Sequence, residues 1–256
     1  MDFSFDLVTL MVFGFGLIWG SFFNVCIWRM PREESIVRGR SHCPHCSATI
    51  PWFHNVPVLA YLWLLGKCHQ CRAKISPEYP LVELASGALF VLSYLRFGFT
   101  PMGFSAALLS SMLLVLSVID LHHKIIPDEI SLSGIAIGFF LCFWTQHITW
   151  IDSLIGILIG GGIFYAIAAG YEKITGREGL GGGDIKLLGM IGAWLGYESV
   201  PLVILISSVL GSVVGITLMI IQRKSAKTEI PFGPFLSLAT LIDLYFGPFI
   251  RGFVGP

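Results

Sequence analysis

An all-α polytopic membrane protein, with about eight transmembrane helices and a small zinc-binding cytoplasmic domain inserted between helices 1 and 2, is the fold class this sequence predicts. Three observations predict it. Of the 256 residues, 55% are hydrophobic and only 12% are charged, and a mean hydropathy of +0.79 lies well outside the range of soluble domains. The apolar residues gather into runs of the length needed to cross a bilayer, roughly 20 residues per helix. The remaining polar residues concentrate in one insertion that carries two Cys-x-x-Cys pairs. Net charge is zero, so overall balance points to no class of partner, and only the placement of the charges is informative.

The apolar runs fall at 7–28, 80–97, 101–121, 129–146, 151–171, 184–197, 200–221 and 232–250. Residues 1–6 carry two aspartates and no Lys or Arg, and no small-residue cleavage site follows the first run. A retained first helix is expected there, not a removable signal peptide. The sixth run is short, and the glycines at 179–183 before it predict broken or re-entrant backbone, tolerated at membrane depth only where protein or water surrounds it. No internal repeat, low-complexity tract or long linker is evident. The chain divides into a first helix (1–28), a cytoplasmic domain (29–79) and a membrane domain (80–256).

The insertion holds Arg29, Arg32, Arg38, Arg40, Lys67, Arg72 and Lys74, which by the positive-inside rule makes it cytoplasmic. Threading eight helices from there leaves only Arg96 and Arg251 on the opposite side and puts both termini outside. The same threading brings Asp120, near the cytoplasmic end of the third helix, to the depth of Asp184, at the cytoplasmic start of the sixth. A charged side chain at the centre of a membrane helix costs about 2.5–3.5 kcal/mol, so such a residue usually faces a cavity, pairs with a partner or does chemistry.

Two close carboxylates do not ionise together easily, so they share a proton and titrate as a pair. One can then act as base on a water and the other as acid toward a carbonyl, the arrangement that cleaves peptide bonds. The glycines before Asp184 remove side chains that would block a substrate backbone and permit φ values closed to other residues. Residue types alone leave other readings open: membrane glycines serve helix packing, and a terminal aspartate caps a helix. A phosphate-binding loop fails on spacing, since Asp184 stands where a third glycine is required. Asp128 and Glu129, after Pro127, suit the N-terminus of the fourth helix and stay outside the dyad.

Cys43-Pro44-His45-Cys46 and Cys68-His69-Gln70-Cys71 are separated by 21 residues, close to zinc-ribbon spacing. Cytoplasmic thiols remain reduced, so four thiolates around Zn²⁺ are expected in place of two disulfides, and iron is the other metal such a site takes. The role expected is structural, tying a loop that lacks a large core. His42, His45, His54 and His69 are read as bystanders, and Cys26 and Cys142 as packing residues. Asn24 and Glu83 fall toward cytoplasmic helix ends, where each lines a cavity or bonds a neighbouring helix. Asp152 and Asp243 map toward the outer side as capping or packing groups.

With these residues in hand, the chain resembles the bacterial prepilin peptidases, bifunctional leader peptidases and N-methyltransferases of type IV pilus and type II secretion systems. The resemblance rests on Gly20-Ser21-Phe22-Phe23-Asn24-Val25 with Arg29-Met30-Pro31, the paired cysteine motifs, the stretch from Ile75 to Glu83, Ile119-Asp120 with Ile126-Pro127-Asp128, and Gly181-Gly182-Gly183-Asp184 as the family's Gly-x-Gly-Asp. It implies that Asp120 and Asp184 are catalytic and cut a basic leader from type IV prepilins or secretion pseudopilins. It implies methylation of the new N-terminus with S-adenosylmethionine, for which Asn24 and Glu83 match family positions near the cysteine domain. Multi-pass residence in the bacterial inner membrane, among lipid and with no nucleic-acid partner, follows from the same likeness. Acidic residues before the glycines, Glu172 and Glu178, are suited to receive a basic leader. The rival expectation is a proton-coupled transporter with Asp120 and Asp184 as relay carboxylates, which predicts broken helices in both halves; only one break is found.

Overall fold

The computed structural model describes residues 6–176, 181–222 and 230–254. Their named elements are all helical: α1 (Leu7–Arg29), the short α2 (Leu59–Trp63), α3 (Glu78–Phe97), α4 (Pro101–His123), α5 (Asp128–Thr145), α6 (Trp150–Ile157), α7 (Phe164–Thr175), α8 (Gly182–Leu195), α9 (Ser199–Gln222) and α10 (Gly233–Val254). A π-helical stretch, Leu158–Ile163, joins α6 to α7. Each of the eight apolar runs coincides with a helix or, for 151–171, with this continuous α6–π–α7 span. Seven are long and apolar enough to cross a membrane; α8, with 14 residues, is the short one. The polytopic fold class holds.

The chain forms two compact units, divided between Val115 and Leu116 within α4. In the first, α1 packs along α3. Gly16 and Gly20 make this possible by their lack of a side chain: a Cβ on Gly20 would lie 2.6 Å from Glu83 Cα, and one on Gly16 would lie 2.8 Å from Gly87 Cα. Small residues four apart let membrane helices approach backbone to backbone, and the hydroxyl of Ser86 donates across this seam to the Gly16 carbonyl at 2.7 Å. After α1 the chain turns through a 3₁₀ segment, Met30–Arg32. The buried Arg29 guanidinium holds the returning loop by donating to the carbonyls of Ser35 and Arg38, each at 2.8 Å.

In the second unit α8 is the core. Every residue from Leu187 to Leu195 is buried, as expected of a helix that is apolar on all faces. Trp194 donates its indole N–H to the Gly134 carbonyl of α5 at 2.7 Å and fills the space over Gly138, where a Cβ would come within 2.5 Å of its ring nitrogen. On another face α8 meets α6, with a Cβ on Gly192 only 2.1 Å from the Gly156 carbonyl oxygen. Ser153 adds a hydrogen bond to the Ala193 carbonyl at 2.7 Å. The π-helical segment continues the contact through Gly160, whose Cβ would sit 2.4 Å from the Leu188 carbonyl. Asp152 forms a reciprocal capping box with Thr149, and the buried Asp243 pairs with Arg251 at 2.5 Å, so both serve structure.

At Gly192 the neighbouring atoms are backbone and cannot step aside, so Gly192→Ala should cost about 1–3 kcal/mol by overpacking. Gly162→Ala, where a Cβ meets nothing within 4 Å, should cost little. Thermal unfolding in detergent should show a clear drop in Tm for the first variant alone.

Candidate active site and metal centre

Asp120 lies in the last turn of α4, 5% exposed. Asp184 is the third residue of α8 and half-buried. The loop after α4 brings them together: Ile126 packs against Gly183, where a Cβ would fall 2.9 Å from the Ile126 Cβ. The two carboxyl groups stand near enough for their charges to interact directly. Each also meets a helix N-terminus. Asp184 sits in the first turn of its own helix, and Asp120 Oδ2 accepts the backbone N–H of Gly233, the first residue of α10, at 2.9 Å. The orphan N–H groups and positive dipole end of a helix favour a carboxylate at such places.

Gly233 was not among the residues singled out from the sequence. Its contribution is a backbone donor and the absence of a side chain, since a Cβ there would lie 2.7 Å from Asp120 Oδ2. A signal was present in Pro231-Phe232-Gly233-Pro234, a glycine fixed between prolines at the head of an apolar run. One turn on, the buried hydroxyl of Ser237 has no partner among the described residues.

The glycine run serves space and not unusual torsion. Gly181 has φ −62° and ψ 127°, values open to any residue, and Gly182 and Gly183 are helical. What the run supplies is the close approach at Gly183 and an exposed backbone at Gly181 and Gly182. Gly179 and Leu180, with Glu178, lie outside the described residues. So do Arg177, Arg223, Lys224 and Lys227. Glu172 is exposed near the end of α7. Asp128, kept out of the dyad, pairs with Lys186 of α8 at 2.6 Å; both are partly exposed, so the pair adds little stability.

In the first unit the sulfur atoms of Cys43, Cys46, Cys68 and Cys71 all lie within 4.8 Å of one another. Tetrahedral thiolate coordination at about 2.3 Å separates sulfurs by about 3.8 Å, and Cys43 and Cys71 stand 3.9 Å apart. The donor set fits a metal ion. Two equivalent turns build it, and they correct the expectation of no internal repeat: Cys43-x-x-Cys46-x-Ala48-x-Ile50 recurs as Cys68-x-x-Cys71-x-Ala73-x-Ile75. Cys43 N–H donates to the Ala48 carbonyl at 2.9 Å and Cys68 N–H to the Ala73 carbonyl at 2.8 Å. Ser47 and Arg72 occupy the same left-handed position, φ 56° and 59°. A repeat of eight residues is too short to stand out where half the chain is apolar.

Asn24 and Glu83, the other polar candidates, are buried in the same unit. Asn24 donates to the Tyr79 carbonyl at 3.0 Å, and Glu83 accepts from the Val58 N–H at 2.7 Å. The His54 and His69 rings lie 4.9 Å apart and belong to neither cysteine turn's hydrogen bonding.

Backbone N–H groups of Cys71 and then Gln70 pointing at Cys68 bring its thiol down to about 6. A metal ion binds the thiolates and competes with protons for them. Purified protein should therefore hold one metal ion per chain at neutral pH and lose it on acidification. Cys68→Ser should lower the metal content measured by elemental analysis.

Two family models match: the bacterial peptidase A24 N-terminal domain over residues 14–97 and the type IV leader peptidase family over residues 107–216. Curated relatives cover nearly the whole chain. A prepilin leader peptidase/N-methyltransferase of Stutzerimonas stutzeri is 36% identical over 91% of this chain and 88% of its own. Those of Aeromonas hydrophila and Pseudomonas aeruginosa are 35% and 34% identical, over 93% and 95% of this chain and 90% and 91% of theirs. No solved structure matches the chain. With two family models laid end to end over both units, and relatives of this identity along nearly its full length, the chain belongs to the type IV leader peptidase family.

Proposed function

We propose that this protein removes the basic leader of type IV prepilins, or of the pseudopilins of type II secretion, at the cytoplasmic face of the bacterial inner membrane, and then N-methylates the new N-terminal residue. The observation that carries the reading is the convergence of Asp120 and Asp184 at the starts of α8 and α10, beside exposed glycine backbone. The names of the relatives support both activities. A proton-coupled transporter is not favoured, because neither the family models nor these relatives point to transport.

In the cleavage step one carboxylate takes a proton from water, whose oxygen adds to the scissile carbonyl. The other, protonated, gives its proton to the carbonyl oxygen. Collapse breaks the C–N bond and delivers a proton to the departing amine. Gly233 holds one oxygen of Asp120, leaving the other for water, and Gly181 and Gly182 leave room for an extended substrate segment. The prepilin's apolar helix lies in the bilayer with its leader in the cytoplasm, which sets the scissile bond at the depth of the two aspartates. Glu172, with Glu178, receives the basic leader. S-adenosylmethionine supplies the methyl group, and the four cysteines hold a structural zinc.

Asp120→Asn or Asp184→Asn should lower cleavage by at least about 10²–10⁴-fold, the usual worth of a positioned acid or base. Gly233→Ala, which displaces Asp120, should cost up to about 10²-fold. The intact mass of a prepilin incubated with purified protein and methyl donor checks both: loss of the leader and gain of one methyl in the wild type, and full-length prepilin in the Asn variants. Wild-type cleavage rates in a Glu172→Ala, Glu178→Ala double variant would remove those residues from leader binding.

A further inference from the structure

The insertion between α1 and α3 carries an apolar face that its own fold leaves open. In α2, Ala60, Tyr61 and Leu64 turn inward and line an internal cavity. Leu59, Leu62 and Trp63, spaced i, i+3 and i+4, share the opposite face. All three are exposed, Trp63 by 87%. Leu65, which follows, is 82% exposed. A 3₁₀ turn before the helix, Trp52–Asn55, packs against α2 and adds the exposed rings of Trp52 and Phe53. Apolar side chains gathered in this way mark a surface that something covers.

The height of α2 is set by one hydrogen bond. The N–H of Val58, immediately before α2, donates to the Glu83 carboxylate at 2.7 Å. Glu83 is the sixth residue of α3, about 7–8 Å along the helix from its start at 1.5 Å per residue. Its Cα faces Gly20, nine residues before the end of α1. The start of α2 therefore lies level with turns of two helices long and apolar enough to cross a membrane, and not out in the aqueous phase. The backbone holds it there under strain. Val58 and Leu65, one at each end of α2, have φ 60° and 50°, values that bulky side chains keep only where the surroundings impose them.

The charges agree with this depth. Residues 41–77 hold no carboxylate and three basic side chains, Lys67, Arg72 and Lys74, all exposed. Basic groups beside an apolar surface suit anionic headgroups, and tryptophan settles where an apolar layer meets a wet one.

We propose that α2 and the Trp52–Asn55 turn form an interfacial lipid anchor. Leu59, Leu62, Trp63 and Leu65 enter the acyl boundary of the leaflet at which α1 ends and α3 begins, and Lys67, Arg72 and Lys74 meet its anionic headgroups. The insertion is then held to the membrane by lipid as well as by its two chain ends. The Glu83 bond to Val58 fixes how deep the anchor sits.

A second protein surface over the same face is the competing explanation, and tryptophan emission separates the two. The full chain in nanodiscs of phosphatidylethanolamine and phosphatidylglycerol is compared with Trp63→Phe, a conservative change at an exposed position. The emission lost in the variant is that of Trp63. It should lose most of its intensity to lipids brominated in the acyl chain and little to aqueous acrylamide. Quenching by acrylamide alone puts the face in water, and quenching by neither puts it under protein; either result overturns the anchor. A photoreactive benzophenone side chain in place of Leu62 should crosslink to lipid. Crosslinks to protein in place of lipid, within the chain or to a second copy, overturn it as well.

Discussion

Gly156 and Gly192 bring α6 and α8 into backbone contact, and the second unit depends on that closeness. In lipid, apolar side chains gain little by turning toward one another, so helices hold together by close packing and by hydrogen bonds across the seam. A missing Cβ allows both. Here it lets Ser153 reach the Ala193 carbonyl and lets Gly160 continue the seam along the π-helical stretch. Trp194 locks the other face of α8 against α5. A helix of 14 residues, too short to span a bilayer unaided, is thereby fixed on nearly every side, and its first turn becomes a rigid platform for Asp184.

That platform solves an electrostatic problem. Two carboxylates in an apolar setting repel each other and lose hydration, and each alone is expensive. Placing one in the first turn of α8 and bonding the other to the first N–H of α10 supplies fixed positive dipole ends at low reorganisation cost. These ends do not neutralise the carboxylates as a lysine would, so the pair keeps its capacity to take up and give up protons. Lys186, in the same helix as Asp184, pairs with Asp128.

Much of this was legible in the sequence because it resides in side-chain type and spacing. The eight apolar runs, the two aspartates at matching depth and the paired cysteines each leave a pattern that survives without coordinates. Gly233 leaves only its place between prolines, because its role is a backbone N–H offered across the unit to Asp120, and nothing in residue type marks which backbone donor meets which acceptor. The glycines before Asp184 could be recognised as necessary, yet their reason could not, since tolerance of unusual φ and tolerance of close approach both read as Gly. Only the 2.9 Å approach of a Gly183 Cβ to Ile126 decides for space.

The two units hold their carboxylates in different surroundings. Asp120 and Asp184 stand near each other in the second unit, with Gly233 holding one oxygen of Asp120, while Glu83 in the first is buried against the neutral donors of Val58, Ser21 and Asn24. Within that first unit the two cysteine turns share one backbone pattern, so four sulfurs converge from two copies of one turn, and a metal ion held there would tie a loop that has little apolar core of its own.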